Sequence, residues 1–369
     1  MAFRLSEEQR LFRDSLRRVC ERQSGPHARS EEPRDWRMER VEALAQLGVF
    51  AALLPEAAGG LGAGAVEAMI IGEELGRAVL PTHLIETVAL TGLLLSHGDG
   101  VERHRPVLTR LVEGRLIGAF VGSATPESPG GIVSHCTNDR HSLTGAAPVV
   151  TFAPVADTFV IAARAGGETG ALALFVLAAD QVPQSTPFWT VDDLPAASLM
   201  VQSLEVGPPF AIGAAAEGAL ERAWDTAMLI QASEINGVMA TLLNQTSRHL
   251  RLRKQFGVSL SSFQALQHRF AEMVLAYHQS LALTHKAAWL FDAAAASERA
   301  PLLWAMAAQA KHAARLIGHE AIQFHGAMGL TEELIVGPAV QHLVAMEPRL
   351  GRSQTHVQRH ADLLAHRAA

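Results

Sequence analysis

Three long stretches with helical spacing fill the C-terminal part of this 369-residue chain, and nothing else in it restricts the fold as strongly. Apolar residues recur at intervals of three and four over about Ala215 to Leu252, Ser261 to Ala296 and Pro301 to Gln323, and a shorter helical segment runs from about Thr355 to His366. Helices of this length bury their apolar stripes against one another, so the spacing predicts a bundle. Between the first two lies RHLRLRKQFGVSLSSFQALQHRFAEM, from Arg248 to Met273. Arg251, Arg253 and Lys254 suit the negative end of the first helix dipole, and Gly257 supplies a residue free to leave helical geometry. Ser261 with Gln264 reads as a capping box for the next helix, whose Phe263, Leu266, Phe270, Met273 and Tyr277 form one stripe. Pro301 suits the first turn of the third.

The N-terminal part is also helical in pattern. Ser6 and Gln9 form a capping box ahead of Leu11, Phe12, Leu16 and Val19 on one face. Further helical patterns span Met38 to Leu47, Ala65 to Val79, Leu84 to Ser96 and Val101 to Glu113. The glycine-rich LGVFAALLPEAAGGLGAG lacks the lysine and threonine of a phosphate-binding loop, so it reads as a tight connector. From about Gly118 the texture changes to short apolar or alternating runs: Ile117 to Val121, Ala147 to Thr151, Thr158 to Ala163, Ala171 to Leu177 and Leu199 to Val206. Gly, Pro, Asp and Asn separate them, which is strand-and-turn patterning, and Pro208-Pro209 closes the region. The expected fold class is α+β multidomain: an N-terminal helical domain over 1–117, a middle β-barrel domain over 118–208 and a C-terminal helical bundle over 209–369.

Composition removes several function classes. A net charge of -6 and a pI near 6.3 give no general attraction to nucleic acid or anionic lipid. The most apolar run, Ala171 to Ala179, is too short to span a bilayer, and no targeting segment is expected. Cys20 and Cys136 have no metal-ligand spacing, which suits a reducing cytoplasm. The 17 histidines include His356 and His360 four apart, with Asp362 and His366 repeating the interval, but no Glu-x-x-His pair accompanies them, so no metal is expected.

The order Arg253, Gln255, Phe256, Gly257, Leu260, Phe263, Gln264 resembles the R-x-Q-F-G-x-x-L-x-x-F-Q signature of the acyl-CoA dehydrogenase family, the flavoenzymes that desaturate acyl thioesters. Gln323-Phe-His325-Gly326-Ala-Met-Gly329 resembles that family's Q-x-x-G-G turn, with Ala327 at the usual second glycine. The LGV, PE, GG-x-G and EELGR order near the N-terminus fits as well, so the resemblance covers essentially the whole chain. It implies that Arg253, Phe256, Gln323 and Gly326 approach the ADP part of an FAD held by a neighbouring subunit. Chemically, an arginine fork suits phosphate oxygens, and a glycine lets backbone amides come close to them. His325 is expected to pack or border the cofactor rather than to act as a base.

The remaining positions are less complete. Val149-Val150-Thr151-Phe152 aligns with the W-I-T-N segment, whose threonine and aromatic residue contact the flavin ring; Thr151 is kept and Val149 replaces the aromatic. In AFVGSATPESPGG, Ser123 stands at the family's threonine and Ala124 at its glutamate. Gln354, three residues beyond Gly351, keeps the C-terminal pattern. Thr151, Ser123 and Gln354 complete the FAD contacts that the resemblance implies. Desaturation needs a carboxylate to remove the α-proton while hydride leaves for the flavin. Yet Leu350 occupies one family address for that acid, Ala227 the other, and Gln341-His342 replaces the upstream Arg-Asp pair. Glu221, Asp225, Glu234 and Glu347 nearby read as solvated or paired charges.

Residues for a neighbour's FAD are thus present, whereas those for this chain's own redox step are missing. The pattern resembles the small or second subunits of heteromeric acyl-CoA dehydrogenases, including the pimeloyl-CoA and sterol side-chain types. It implies an α2β2 complex acting on an acyl-CoA substrate, with electron-transfer flavoprotein as electron acceptor. Three alternatives stay open: a self-sufficient homotetramer using Glu347 or Asp225 as a displaced acid, a flavin monooxygenase or oxidase, and an assembly subunit with no flavin contact.

Overall fold

The structure, a computed structural model, describes residues 4–23, 38–98, 100–122, 131–167, 170–183, 186–331, 333–351 and 353–368. At its start the expected capping box forms: Ser6 N donates to Gln9 Oε1 at 2.9 Å, and Gln9 N donates to Ser6 Oγ at 3.1 Å. It opens α1 (Glu7–Gln23), followed by α2 (Met38–Gln46), α3 (Val49–Ala52) and α4 (Ala65–Arg77). A π-helix (Ile85–Gly92) leads into α5 (Leu93–Leu95), α6 (Gly100–Arg103) and α7 (Arg105–Val112). Eight strands come next: β1 (Gly118–Val121), β2 (Gly131–Thr137), β3 (Arg140–Thr151), β4 (Thr158–Ala165), β5 (Leu172–Ala178), β6 (Pro187–Trp189), β7 (Pro195–Val206) and β8 (Ala211–Ile212). Then α8 (Ala214–Leu252), the short strands β9 (Lys254–Gln255) and β10 (Val258–Ser259), α9 (Gln264–Phe291), α10 (Ala296–His325), α11 (Val336–Arg349) and α12 (Ser353–Ala368) complete the chain. The order is helices, sheet, helices, as the patterning predicts.

Two helix starts differ from expectation. Ser261 and Gln264 form no capping box; Leu260–Ser262 is a single 3-10 turn, Phe263 is the N-cap residue of α9, and Gln267 Nε2 donates to Ser261 O at 2.8 Å instead. Pro301 lies inside α10, beyond its first turn, because α10 already begins at Ala296.

The chain divides into two compact units, Met1–Ala28 with Gly64–Pro81 and Met228–Ala369, and Arg29–Ala63 with Thr82–Ala227. The second carries an eight-stranded sheet in the order β6-β7-β3-β2-β4-β5-β8, with β1 paired in parallel to β4. β2 and β3 join through Asn138 and Asp139, both at positive φ, as a two-residue hairpin turn demands. Phe159, Phe175, Leu143 and Leu199 form the apolar core of this sheet.

Beside the sheet, His83, just ahead of the π-helix, and Glu86 and Thr87 within its first turn are buried. Thr87 Oγ1 lies 2.8 Å from His83 Nδ1 and 3.0 Å from Gly118 N, which ties the π-helix to β1. His83 stacks on Phe50 at 4.9 Å and meets the edge of Phe152 at 5.8 Å. Burial pushes the His83 imidazole down to about 4. The sign follows directly: an unfolded histidine takes up its proton below about 6.5 and folded His83 does not, so stability declines as pH falls from about 6.5 to about 4. The full loss amounts to about 3 kcal/mol. Urea unfolding at pH 7 and pH 4.5 is expected to show His83→Phe retaining more of its stability on acidification than the unmodified chain.

The first unit is held by close helix crossings. Arg17 forks onto Glu74 at 2.7 and 2.8 Å, joining α1 to α4. Gly72 and Gly76 of α4 abut the backbone of Ile230 and Glu234 in α8, while Gly237 of α8 abuts Glu73 of α4. Between α8 and α11, Glu234 and His342 form a buried pair at 2.8 Å. No described helix is long and apolar enough to cross a membrane.

Candidate functional site

Helix α8 ends at Leu252, and Arg253 follows it, exposed, with its N–H still bonded to His249 O at 2.9 Å. The chain then makes a hairpin in which Gln255 faces Val258 and Lys254 faces Ser259. Its two turn residues are Phe256 and Gly257, at φ 53 and φ 82. Gly257 therefore serves a hairpin turn with two positive-φ positions and does not end the helix. Phe256 is the unusual member. Its side chain is 91% exposed, and its backbone lies where a bulky residue is disfavoured. An aromatic ring held open at that conformational cost suits a surface that another molecule covers.

The second motif lies at the end of α10. Gly326, at φ 65 and ψ −146, is the C-cap residue, and its N–H bonds Ile322 O. That backbone region is essentially restricted to glycine, so the turn is set by this residue. Gln323 and Gly326 are exposed, as is Ala327. His325 is buried and its Nδ1 donates to Ala321 O at 2.8 Å; a carbonyl only accepts, so Nδ1 carries the hydrogen.

The two motifs meet through a contact that sequence spacing did not single out. His249, one turn before Arg253, packs on His325 with ring centroids 4.4 Å apart. Around this stack lies a groove of about 260 Å³, with Gln245, Arg248, His249 and Leu252 on the α8 side and His325 and Met328 on the other. Its lining carries a guanidinium and two imidazoles but no carboxylate. Burial, then the neighbouring His325 and Arg253, push the His249 imidazole below its usual value. Arg248 and His249 were legible only as members of a basic helix end; their approach to a turn more than 70 residues later needs the fold. The donor set fits an anionic nucleotide: an arginine lines the groove, and Arg253, an exposed aromatic ring and an unobstructed glycine turn lie at the two helix ends that form it.

The flavin-ring positions fit less well. Thr151 Oγ1 donates its one proton to Glu86 Oε1 at 2.8 Å, leaving only acceptor capacity for any other group. Val149 is 57% exposed and offers no ring. Ser123 lies outside the described residues, and Gln354 is described only as part of the α12 backbone. At the two addresses for the acid, Leu350 and Ala227 are both buried apolar residues. Of the nearby carboxylates, Glu347 pairs with Arg315 as the sequence suggested, which holds it below the usual carboxylate range, whereas Asp225 and Glu234 are buried, the latter against His342.

The fold is helices, sheet and helices, and its groove brings the ends of α8 and α10 together. Residues 6–115 match the model for "Acyl-CoA dehydrogenase, N-terminal domain", and residues 227–364 that for "Acyl-CoA dehydrogenase, C-terminal domain". The chain belongs to the acyl-CoA dehydrogenase family, whose members bind FAD and whose activity is that of an oxidoreductase acting on CH-CH groups of acyl-CoA thioesters. It is 29% identical to benzylmalonyl-CoA dehydrogenase of Aromatoleum aromaticum over 79% of this chain and 81% of that one. Among solved structures, it is similar to a chain of the ChsE4-ChsE5 complex from Mycobacterium tuberculosis, with a TM-score of 0.87, 22% identity and 99% of both chains covered. It also matches butyryl-CoA dehydrogenase from Megasphaera elsdenii, with a TM-score of 0.85, 20% identity, 99% of this chain and 100% of the other.

Proposed function

We propose that this chain is one subunit of a two-component, FAD-dependent acyl-CoA dehydrogenase. In this reading Arg253, Phe256, Gln323 and Gly326 grip the nucleotide tail of an FAD whose ring and catalytic carboxylate belong to the partner subunit, which oxidises the acyl-CoA. The observation that carries it is the contrast between two places in the chain. Phe256 is held out to solvent in a positive-φ turn next to Arg253, whereas both acid addresses, Leu350 and Ala227, are apolar and buried. A surface prepared for an outside ligand accompanies a redox site without its acid. The likeness to a chain solved within a named two-protein complex supports the heteromeric assignment. Electron-transfer flavoprotein then accepts the electrons from the partner's flavin, and Thr151, Ser123 and Gln354 are subsidiary contacts in this scheme.

The test is Arg253→Ala in the co-purified complex. Losing a guanidinium that bonds phosphate oxygens is expected to weaken FAD retention by about ten- to a hundredfold, from about 1.5–3 kcal/mol for a charge-assisted bond. Assembly itself should persist, since Arg253 is exposed in the chain. Unchanged FAD affinity in Arg253→Ala would instead identify an assembly subunit with no flavin contact.

A further inference from the structure

The His249–His325 stack is chemically out of place in a groove meant only for packing. Two imidazoles whose centroids lie 4.4 Å apart cannot both be charged without strong mutual repulsion. His325 already has its Nδ1 hydrogen committed to Ala321 O, so any added proton on that ring resides on Nε2. His249 is pushed toward its neutral form, first by burial, then by His325 and Arg253. The other charged groups of the surrounding elements do not oppose this. Arg248 adds a second guanidinium from α8. The turn Gly326–Leu330 has no titratable side chain, and Glu333, ahead of the Leu334–Val336 wall, is exposed. On α10, Glu320 is engaged by Arg269 at 2.6 Å. The stack therefore stands in an excess of positive charge as long as no anion is bound.

We infer that this groove binds its ligand together with a proton: a pyrophosphate diester seated beside Arg248 and Arg253 neutralises the local field and charges the His249–His325 stack, making the two histidines ligand-binding residues. The inference rests on the reading that the groove takes a nucleotide tail, and it adds a proton to that event. The proton comes from solvent and adds to an imidazole nitrogen; no covalent bond to the ligand forms. An anion within a few ångströms favours imidazolium, so His249 titrates higher in the complex than in the free chain. Between those two titration points, binding takes up a proton and weakens as pH rises, by at most tenfold per pH unit for one proton.

ADP-ribose is the probe, because its pyrophosphate is a diester and does not itself titrate near neutrality. Calorimetry of the full chain between pH 5.5 and 8, in buffers of differing ionisation heat, is expected to show uptake of up to one proton per ligand and affinity falling several-fold with pH. His249→Phe keeps a ring on the stack without the titrating nitrogen, and should lose most of the uptake and the pH dependence. NMR titration of the His249 ring signals in the unmodified chain gives a second readout that needs no variant: His249 should titrate at higher pH once ADP-ribose is saturating. Binding that is abolished by Arg253→Ala yet carries no proton uptake, with histidine titration unmoved, would overturn the inference and leave the nucleotide-tail reading intact. Absence of binding, or binding indifferent to Arg253→Ala, would overturn both.

Discussion

Glu234→Ala is expected to destabilise the unit that holds α11 against α8 by about 1–3 kcal/mol, the range for leaving a buried hydrogen-bonding group without its partner. Glu234 is 6% exposed and His342 2% exposed, with 2.8 Å between Oε1 and Nε2. Truncating the acid leaves the imidazole with an unmet polar nitrogen in a space that water does not reach. The same junction is reinforced where Gln231 Nε2 donates to Met346 O at 3.1 Å, so α11 is attached to α8 at two polar points about one helical turn apart. Urea denaturation should show a lower midpoint for Glu234→Ala, a smaller loss for Glu234→Gln, and a strongly non-additive double mutant with His342→Ala. Additive losses would mean that the pair contributes no coupling.

Gly76→Ala is the second large effect. A Cβ at position 76 would overlap the Glu234 carbonyl oxygen, and one at Gly72 would overlap Ile230 O. Both obstacles are backbone atoms, so no side-chain rotation relieves them and α4 must move off α8. Overpacking of this kind costs about 1–3 kcal/mol per site, and occasionally more. The Gly72→Ala, Gly76→Ala double variant is expected to lose cooperative unfolding of this unit. By contrast Gly218→Ala, also in α8, has open space around it and favours helix, so it should be neutral or slightly stabilising. Equal stability of Gly76→Ala and Gly218→Ala would contradict the close crossing.

The element order was largely legible because its signals are local. Capping at Ser6 and Gln9, the long 3.6-residue periods and the alternating runs each report on a few neighbouring residues. Signals failed where tertiary context decided. β2, reading GIVSHCT, exposes His135, Cys136 and Thr137 and lacks a clean alternation, so its pairing with β3 was not anticipated. The segment LIETVALTG is mostly apolar, and nothing in its pattern distinguishes a π-helix from an α-helix. Phe256-Gly257 does not look like a hairpin turn because Asn or Asp usually fills the first position.

At the candidate site, the two motifs were found by their residue order, whereas the groove between them was not. Its central contact, His249 with His325, joins residues 76 positions apart; His325 lies within the Gln323–Gly329 motif, but nothing beside His249 marks it as that residue's partner. Burial of Asp225 and Glu234 was missed for the same reason: on a long helix, the faces covered depend on which neighbours pack there. Helix spacing alone does not reveal that choice.

The Arg253–Phe256 surface serves either this chain's own flavin or a partner's. The direct measurement is the visible absorption spectrum and acyl-CoA oxidation of the chain purified alone, set beside those of the chain co-purified with a second acyl-CoA dehydrogenase-type subunit. A colourless, inactive single chain and a yellow, active pair is the predicted result. A full flavin spectrum with thioester oxidation from the single chain would contradict it.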